Sequence, residues 1–386
     1  MGLRHLTSIN DLTNGEIEQV LELASRYLDE LADKDRPWRV ARGTDKARGR
    51  VLATLFYEPS TRTRLSFESA MLRLGGQVIS VADMATSSSI KGESLADAVR
   101  IVESYADAIV IRHKLEGAPR LAADYARVPI INGGDGRHEH PTQTLTDLLT
   151  LRREKKRIKG MNVAVMGDLQ NGRTVHSLAF ALARFGANIL TMPAKGLGLP
   201  KYVDKRLRHE FGCAMVPGKE YDAGNPLLES VYVQSGGARP SPGVDVIYVT
   251  RFQKERAADP NAAYPTIGLD FLRDKRYENT LVMHPLPRVD ELDVALDNDP
   301  RAGYFRQASY GVAVRMALMA LLLGIDGKLE SFDGGFRQAA RPTSGLRCGN
   351  SSCIVHAERG AQNKFVPVAP GSPKLRCLYC ESEAHG

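Results

Sequence analysis

Residues 51–64 read VLATLFYEPSTRTR, an apolar run that ends in a turn rich in hydroxyl and guanidinium groups. The apolar part has the composition of a buried strand, and a helical pattern begins at Arg62. The alternation extends along the chain, with strand patterns at 78–82, 108–111 and 129–132 and helical patterns at 14–31, 94–105 and 119–127. Strands that alternate with helices are typical of a parallel sheet, so this region predicts an α/β domain.

A second alternating region follows a helical segment at 142–156. Its strand patterns lie at 163–166, 188–192, 244–249 and 281–283, and its helical patterns lie at 174–185 and 201–211. The intervening segment 217–243 is rich in Gly, Pro and Ser and lacks periodicity, which predicts a surface excursion outside the core. The second region therefore predicts another α/β unit with a parallel sheet.

These patterns predict the domain organisation. The expected fold class is α/β, with two parallel-sheet domains and a small C-terminal module. We expect the first domain at residues 1–145 with a returning helix at 304–325, the second at 146–303, a linker at 326–345 and the module at 346–386. Glycines interrupt the helical pattern where the linker is predicted.

The composition is that of an ordinary soluble globular protein. Of 386 residues, 43% are hydrophobic and 25% are charged, which excludes disordered, collagen-like and coiled-coil chains. The net charge of +7 favours anionic partners, either nucleic acid or small phosphorylated and carboxylated molecules. The longest nearly uncharged apolar stretch, residues 316–325, is about half of what a bilayer crossing needs. Because no signal-peptide pattern opens the sequence either, we expect a cytoplasmic protein with no membrane partner.

The turn after the first strand carries the groups of a phosphate cradle. Hydroxyls of Ser60, Thr61 and Thr63, the guanidinium of Arg62 and the amides of a helix start could together bind an anion. The alternative is an ordinary helix cap with solvated arginines. The turn has neither the Walker spacing nor the GxGxxG pattern.

Four of the five cysteines lie close together near the end of the sequence. Cys348, Cys353, Cys377 and Cys380 form two close pairs separated by a loop, which is the arrangement of a structural Zn²⁺ site. The alternative is disulfide bonding, which a cytoplasmic protein disfavours. The fifth, Cys213, is interpreted as a core thiol.

The segment Ser60-Thr61-Arg62-Thr63-Arg64 resembles the carbamoyl-phosphate-binding motif of the aspartate/ornithine carbamoyltransferase family. Other segments resemble the family in order and approximate spacing over residues 1–328; they are Arg112-His113, His140-Pro141-Thr142-Gln143, Gly167-Asp168-Leu169, Gly172-Arg173-Thr174-Val175-His176-Ser177 and His284-Pro285-Leu286-Pro287-Arg288. The resemblance implies the two-domain fold of that family and a carbamoyltransferase activity without a cofactor or metal at the active site.

The resemblance also implies roles for individual residues. Thr63, Arg112 and His140 would face the carbonyl oxygen of carbamoyl phosphate as an oxyanion hole. Gln143 and the carbonyls of Leu286 and Pro287 would hold the carbamoyl NH2 group. The leaving phosphate would be neutralised by Arg62, the turn from Ser60 to Thr63, and Lys91.

The second domain indicates which amine is used. Residues 250–256, TRFQKER, resemble the aspartate-binding loop, and the His284-Pro285-Leu286-Pro287 segment lacks the cysteine usual in ornithine enzymes. A dicarboxylate also suits the guanidinium groups of Arg173 and Arg251, with a hydrogen bond from Gln253. We therefore expect transfer to L-aspartate, an early step of pyrimidine biosynthesis. The alternatives are a carbamoyltransferase for another amino acid and an inactive fold that serves as a zinc-dependent binding module.

The resemblance further implies an assembly. The segment 87–95, SSSIKGESL, resembles a loop that a neighbouring subunit inserts into the active site, which would make the protein a homotrimer with Lys91 donated in trans. Whether Ser87 or Ser88 accompanies Lys91 stays open. The cysteine-containing module resembles the zinc domain of the aspartate carbamoyltransferase regulatory chain, which docks on catalytic subunits and could build a larger assembly.

The charge of the module disfavours nucleic acid as a partner. Residues 341–386 contain six Lys/Arg and three Glu. A zinc ion bound by four thiolates contributes −2, which leaves about +1. We also expect metal loss to unfold the module while the catalytic part survives.

Overall fold

The computed structural model describes residues 4–81, 92–221, 227–235, 237, 243–254, 264–329, 341–342, 345–368 and 372–385. The chain forms two compact units. Unit 1 combines Met1–Leu145 with Gly311–Gly386, and unit 2 is Thr146–Tyr310.

Unit 1 contains a four-stranded parallel sheet. In chain order its elements are α1 (Asn14–Leu31), β1 (Val51–Phe56), α2 (Thr61–Arg73), β2 (Gln77–Val81), α3 (Leu95–Val102), β3 (Ala108–His113), α4 (Ala118–Tyr125) and β4 (Ile130–Asp135). The strand order is β2-β1-β3-β4, with Phe56 of β1 paired with Arg112 of β3. The crossover helices explain the parallel strands. The turns after β1, β3 and β4 therefore leave the same edge of the sheet.

Unit 2 contains a six-stranded sheet. The elements that follow β4 are α5 (Pro141–Lys155), β5 (Asn162–Gly167), α6 (Arg173–Arg184), β6 (Asn188–Pro193), α7 (Lys201–His209), β7 (Cys213–Pro217), β8 (Ser230–Gln234), β9 (Val246–Val249), β10 (Leu281–Met283) and α8 (Tyr304–Leu322). Of these, α5 begins in unit 1 and α8 ends in it. The strand order is β10-β9-β5-β6-β8-β7. The four strands β10, β9, β5 and β6 run parallel to one another, as predicted.

The last two strands of this sheet correct the sequence prediction. β8 runs antiparallel to both β6 and β7, and it lies inside the segment 217–243 that was expected to stay outside the core. Val231 and Tyr232 of β8 are buried, as is Cys213 at the start of β7. β8 has only five residues and is flanked by Gly-, Pro- and Ser-rich sequence. Its hydrophobic pattern is too short to be recognised as a strand in that context.

The cysteine-containing module forms two small antiparallel sheets. Its strands are β11 (Arg341–Pro342), β12 (Arg347–Cys348), β13 (Lys364–Pro367), β14 (Leu375–Cys377) and β15 (Ala384–His385). They form the sheets β11-β13-β14 and β12-β15. β11 falls within the segment predicted as a linker. Within the parts of the chain that the structure describes, no helix is both long enough and apolar enough to span a bilayer.

The module shares one hydrophobic core with the rest of unit 1. Ile109, Ile111 and Leu121, from β3 and α4, belong to the same buried cluster as Phe365 and Tyr379 of the module. All four clustered cysteines also belong to it. The module is therefore an integral part of unit 1.

Candidate active site and metal centre

The turn after β1 leads directly into α2. Ser60 precedes the helix with φ −161° and ψ 99°, and its hydroxyl makes no capping hydrogen bond. Thr61 and Arg62 are exposed, whereas Thr63 is 9% exposed. A helix start that its own cap residue does not satisfy presents amides and a positive dipole end to an anion, so the geometry favours a phosphate cradle over the helix-cap alternative.

Arg112 lies at the end of β3, beside the end of β1. Its guanidinium donates a 3.2 Å hydrogen bond to the carbonyl of Gly133 and lies 3.0 Å from a carboxylate oxygen of Glu58. The Tyr57 amide donates to the Arg112 carbonyl at 2.8 Å. These contacts, together with its burial, fix the guanidinium near the phosphate-cradle turn.

His140 follows a tight turn between β4 and α5. Asp135 organises the turn by accepting hydrogen bonds from the side chain of Asn132, at 2.9 Å, and from the amide of Gly117, at 2.7 Å. The His140 carbonyl accepts the Gln143 amide at 3.0 Å and starts the helix. His140 is 5% exposed and Gln143 is half-buried.

The predicted groups of unit 1 therefore share one edge of the sheet. Thr63, Arg112 and His140 follow the carboxyl ends of β1, β3 and β4, which are adjacent strands. This is the edge at which parallel α/β sheets bind ligands. Lys91, Ser87 and Ser88 lie outside the described residues, and their contribution stays a prediction.

Arg173 begins α6, after a turn that Asp168 holds. The buried Asp168 carboxylate accepts hydrogen bonds from the backbone and side-chain amides of Asn171, at 3.0 and 3.1 Å. Gly167 has φ +106°, and a Cβ there would lie 2.0 Å from the Tyr264 hydroxyl. That hydroxyl in turn accepts the Asp168 amide at 2.6 Å. A glycine is therefore required at the end of β5.

Arg251 and Gln253 follow β9, the neighbour of β5 in the sheet. The Gln253 side chain donates a 2.6 Å hydrogen bond to the Asn171 carbonyl, and its backbone amide donates to Asp168 at 3.3 Å. Arg251 is half-buried. These contacts bring together Gln253 and the turn that precedes Arg173.

His284 organises the segment that follows β10. Its Nε2 donates to the Glu291 carboxylate at 2.8 Å, and its Nδ1 accepts the Leu286 amide at 2.7 Å. Burial raises the pKa of Glu291, but the hydrogen bond and charge of His284 and the backbone hydrogen bonds together outweigh burial, so the net shift is downwards. The Leu286–Pro287 peptide is cis. The imidazole therefore sets the direction of the Leu286 backbone.

Three supporting residues were not assigned from the sequence. Glu58, Asp168 and Glu291 each hold a neighbouring motif through a carboxylate. Glu58 and Asp168 lie within sequence segments that were quoted as motifs. Their position in those segments was the only sequence signal for a role. Glu291 follows His284 by seven residues, and no local pattern indicated their contact.

The four clustered cysteines are buried and meet at one point. Each offers a sulfur, and these atoms all lie within 4.8 Å of one another. The sulfurs of Cys348 and Cys380 are 3.4 Å apart, and those of Cys353 and Cys377 are 3.9 Å apart. Tetrahedral Zn–S bonds of about 2.3 Å place sulfurs about 3.8 Å apart, whereas a disulfide needs about 2.05 Å. The donor set therefore fits a tetrahedral metal ion and excludes the disulfide alternative.

Comparisons with known proteins agree with this geometry. Residues 4–153 match the carbamoyl-P binding domain of aspartate/ornithine carbamoyltransferase, and residues 159–322 match the Asp/Orn binding domain. Residues 343–386 match the metal binding domain of the aspartate carbamoyltransferase regulatory chain. The aspartate carbamoyltransferase catalytic subunit of Thermoplasma volcanium is 45% identical over 325 residues, which are 83% of this chain and 98% of the relative. The chain belongs to the aspartate carbamoyltransferase family.

Solved structures of this family support the same assignment. The catalytic subunit of M. jannaschii aspartate transcarbamoylase is 41% identical with a TM-score of 0.68, and the match covers 84% of this chain and 99% of that one. The Trypanosoma cruzi enzyme in complex with carbamoyl phosphate and aspartate is 35% identical with a TM-score of 0.68, covering 82% and 95%. The predicted fold class and transferase activity are thus confirmed. The predicted regulatory-type metal-binding domain is confirmed as well.

Proposed function

We propose that this aspartate carbamoyltransferase joins carbamoyl phosphate to L-aspartate with the residues described above, as an early step of pyrimidine biosynthesis in the cytoplasm. The products are N-carbamoyl-L-aspartate and phosphate. The observation that carries the assignment of roles is the placement of Thr63, Arg112 and His140 at the ends of three adjacent parallel strands. The T. cruzi relative has been solved with both substrates, which supports the same pair here.

The chemistry explains why unit 1 needs these groups. The neutral amine of aspartate attacks the carbonyl carbon of carbamoyl phosphate, and negative charge develops on the carbonyl oxygen. Thr63, Arg112 and His140 supply hydrogen-bond donors for that charge. Arg62 and the amides at the start of α2 receive the phosphate as it leaves, and Lys91 adds a further cation. Because the Arg112 guanidinium is already held by Gly133 and Glu58, little reorganisation of this group is needed.

Unit 2 supplies the groups for a dicarboxylate. Arg173 and Arg251 offer the forked guanidinium donors that carboxylates prefer. The side-chain amide of Gln253 already donates to Asn171, so we assign carboxylate binding chiefly to the two arginines and give Gln253 a supporting role. Leu286 and Pro287 offer backbone carbonyls for an NH2 group, and Gln143 offers a side-chain carbonyl.

The metal of the module is proposed to be Zn²⁺. Four thiolates at tetrahedral spacing are the donor set that structural zinc prefers. Bound zinc would join segments that are far apart in the module and so stabilise its two small sheets. We assign no metal or organic cofactor to the reaction itself.

We propose a homotrimer in which Lys91 is donated by a neighbouring subunit. The support is the resemblance of the segment 87–95 to the exchanged loop of the family. Mixing a Lys91→Ala chain with an Arg62→Ala chain should restore activity in mixed trimers, because some sites would then be intact. Mixed trimers that are confirmed by mass but stay inactive would contradict donation in trans.

Product formation from carbamoyl phosphate tests the function directly. The purified full chain should form carbamoylated product with L-aspartate and not with ornithine. Product from ornithine or another amine in place of aspartate would assign a different carbamoyltransferase. No product from any amine by a folded, metal-loaded protein would favour an inactive binding module. An Arg112→Met chain, which keeps a long side chain without the charge, is the matched inactive control.

A further inference from the structure

A second group of ligand-type side chains lies where the turn before α5 meets the module. His138, Glu139 and Glu381 each offer one ligand atom, and these atoms all lie within 4.8 Å of one another. His138 and Glu139 are buried, at 6% and 1% exposure, and Glu381 is partly buried. We propose that these three residues bind a second divalent cation, separate from the four-cysteine site.

The orientation of the His138 imidazole supports a metal ligand. Its Nδ1 lies 3.0 Å from a carboxylate oxygen of Asp135, which can only accept, so Nδ1 carries the proton. A carboxylate on one ring nitrogen is the usual arrangement behind a metal-bound histidine. The other nitrogen, Nε2, is buried and has no hydrogen-bond partner. Nε2 therefore faces the carboxylates of Glu139 and Glu381, where a divalent cation could replace its proton.

The spacing suits a shared ion better than a hydrogen bond. His138 Nε2 lies 3.6 Å from a carboxylate oxygen of Glu381, beyond the range of a protein hydrogen bond. Two metal–ligand bonds of about 2.1 Å at a tetrahedral angle place the ligand atoms about 3.4 Å apart. The observed separation is close to that value.

The negative charge around His138 also favours a bound cation. The carboxylates of Asp135, Glu139 and Glu381 surround one imidazole, and buried charges are costly unless they are neutralised. The Glu139 oxygens accept hydrogen bonds from Ser8, at 2.6 Å, and from the Ile9 amide, at 3.0 Å. Each carboxylate oxygen has a second lone pair that a metal can use.

The ligand chemistry indicates the class of ion. One imidazole nitrogen with two carboxylate oxygens suits Zn²⁺, Co²⁺, Mn²⁺ or Fe²⁺, and it lacks the thiolates of the neighbouring site. Cys380 and Glu381 are consecutive residues. One segment of the module would therefore serve both ions, and the second ion would tie it to the turn that carries His140.

Metal counting on the full chain tests the proposal. The protein is saturated with Zn²⁺ or Co²⁺, desalted and analysed for metal per chain. We expect two ions in the unaltered protein, one in His138→Gln and in Glu381→Gln, and two in the control Glu383→Gln. With Co²⁺, the sulfur charge-transfer absorption of the four-cysteine site should keep its intensity in all four proteins.

Two results would overturn the site. One ion per chain in the unaltered protein would mean that His138 is simply protonated between the carboxylates. Two ions retained in His138→Gln would place the second ion elsewhere. A variant that loses the cobalt–sulfur absorption has lost the fold of the module, and the count for the unaltered protein then decides alone.

Discussion

The guanidinium of Arg112 lies 3.0 Å from the carboxylate of Glu58, so the arginine that we propose for the oxyanion hole is paired within its own unit. Both side chains are largely buried, at 10% and 20% exposure, which limits screening by solvent. The pair links the phosphate-cradle turn to the end of β3. Glu58 therefore has a positioning role for Arg112.

Substitution of Glu58 by Gln should lower kcat about tenfold, equivalent to about 1.4 kcal/mol. The amide keeps the shape of the side chain but removes the charge that orients the guanidinium. Steady-state kinetics on both substrates measures the effect, with Glu68→Gln as the control, because Glu68 contacts Thr54 and Arg64 instead. An unchanged kcat in Glu58→Gln would show that Gly133 alone suffices to hold Arg112.

Arg251→Ala should raise the KM for aspartate much more than the KM for carbamoyl phosphate. Removing one partner of a charge-assisted contact costs roughly 2 to 5 kcal/mol. Arg62→Ala should show the reverse pattern, because Arg62 is assigned to the phosphate. Arg273→Ala removes an exposed arginine of unit 2 and should leave both KM values unchanged. Equal losses for the two substrates in Arg251→Ala would contradict its assignment to aspartate.

Gly117→Ala should loosen the module from unit 1. Gly117 has φ +80°, and a Cβ there would lie 2.5 Å from the Cβ of Tyr379 and 2.7 Å from its backbone. Gly49 also has φ +80° but has no atom within 4 Å of such a Cβ, so Gly49→Ala carries the same backbone strain without the collision. Metal release to a chelator should be faster only in Gly117→Ala. Equal release rates would mean that the contact with Tyr379 does not hold the module.

Metal removal should destabilise more than the module itself. Ile109, Ile111 and Leu121 share a core with Phe365 and Tyr379, so a module that unfolds exposes β3 and α4 as well. Hydrogen exchange should rise in peptides from 109–122 after chelation. Peptides from β6, in unit 2, are the internal control. Exchange confined to residues 345–385 would instead agree with the sequence-based expectation that the catalytic part survives metal loss.

Acid should weaken unit 1 through His113. Burial, aided by Lys114, lowers the pKa of His113 to about 4, whereas an unfolded histidine titrates near 6.5. Between these values the unfolded chain binds a proton that the folded chain does not, so stability falls as the pH drops. The loss is roughly 3 kcal/mol and is complete near pH 4.

The control for this effect is His113→Asn. Asparagine keeps an acceptor for the Leu115 amide, which donates to His113 at 2.9 Å, and does not titrate. The melting temperature should fall more between pH 7 and pH 4.5 in the unaltered protein than in the variant. Parallel pH curves would show that His113 does not contribute.

The sequence predicted the main elements because each motif lies where periodicity changes from strand to helix. The turn at Ser60, the β3 end at Arg112 and the α6 start at Arg173 could all be located from this change. Contacts between distant segments could not be located in this way. The bond from the Leu95 amide to Glu358, at 2.7 Å, joins residues 263 positions apart, and no local pattern encodes it. The boundary at the predicted linker was inferred from glycines that interrupt the helical pattern. Such glycines indicate where a helix stops, but not which part of the protein the next segment packs against.

The shared core of unit 1 sets an order for folding during synthesis. Unit 2 is continuous in the chain, so it can be completed once residue 310 has left the ribosome. Unit 1 begins earlier but needs residues 345–385, which are made after all of unit 2. The apolar faces of β3 and α4 therefore stay partly exposed to solvent until residues 345–385 have been synthesised. If translation stalls before residue 345, the nascent chain would expose the apolar faces of β3 and α4 to chaperones. Unit 2 would already be complete at that point.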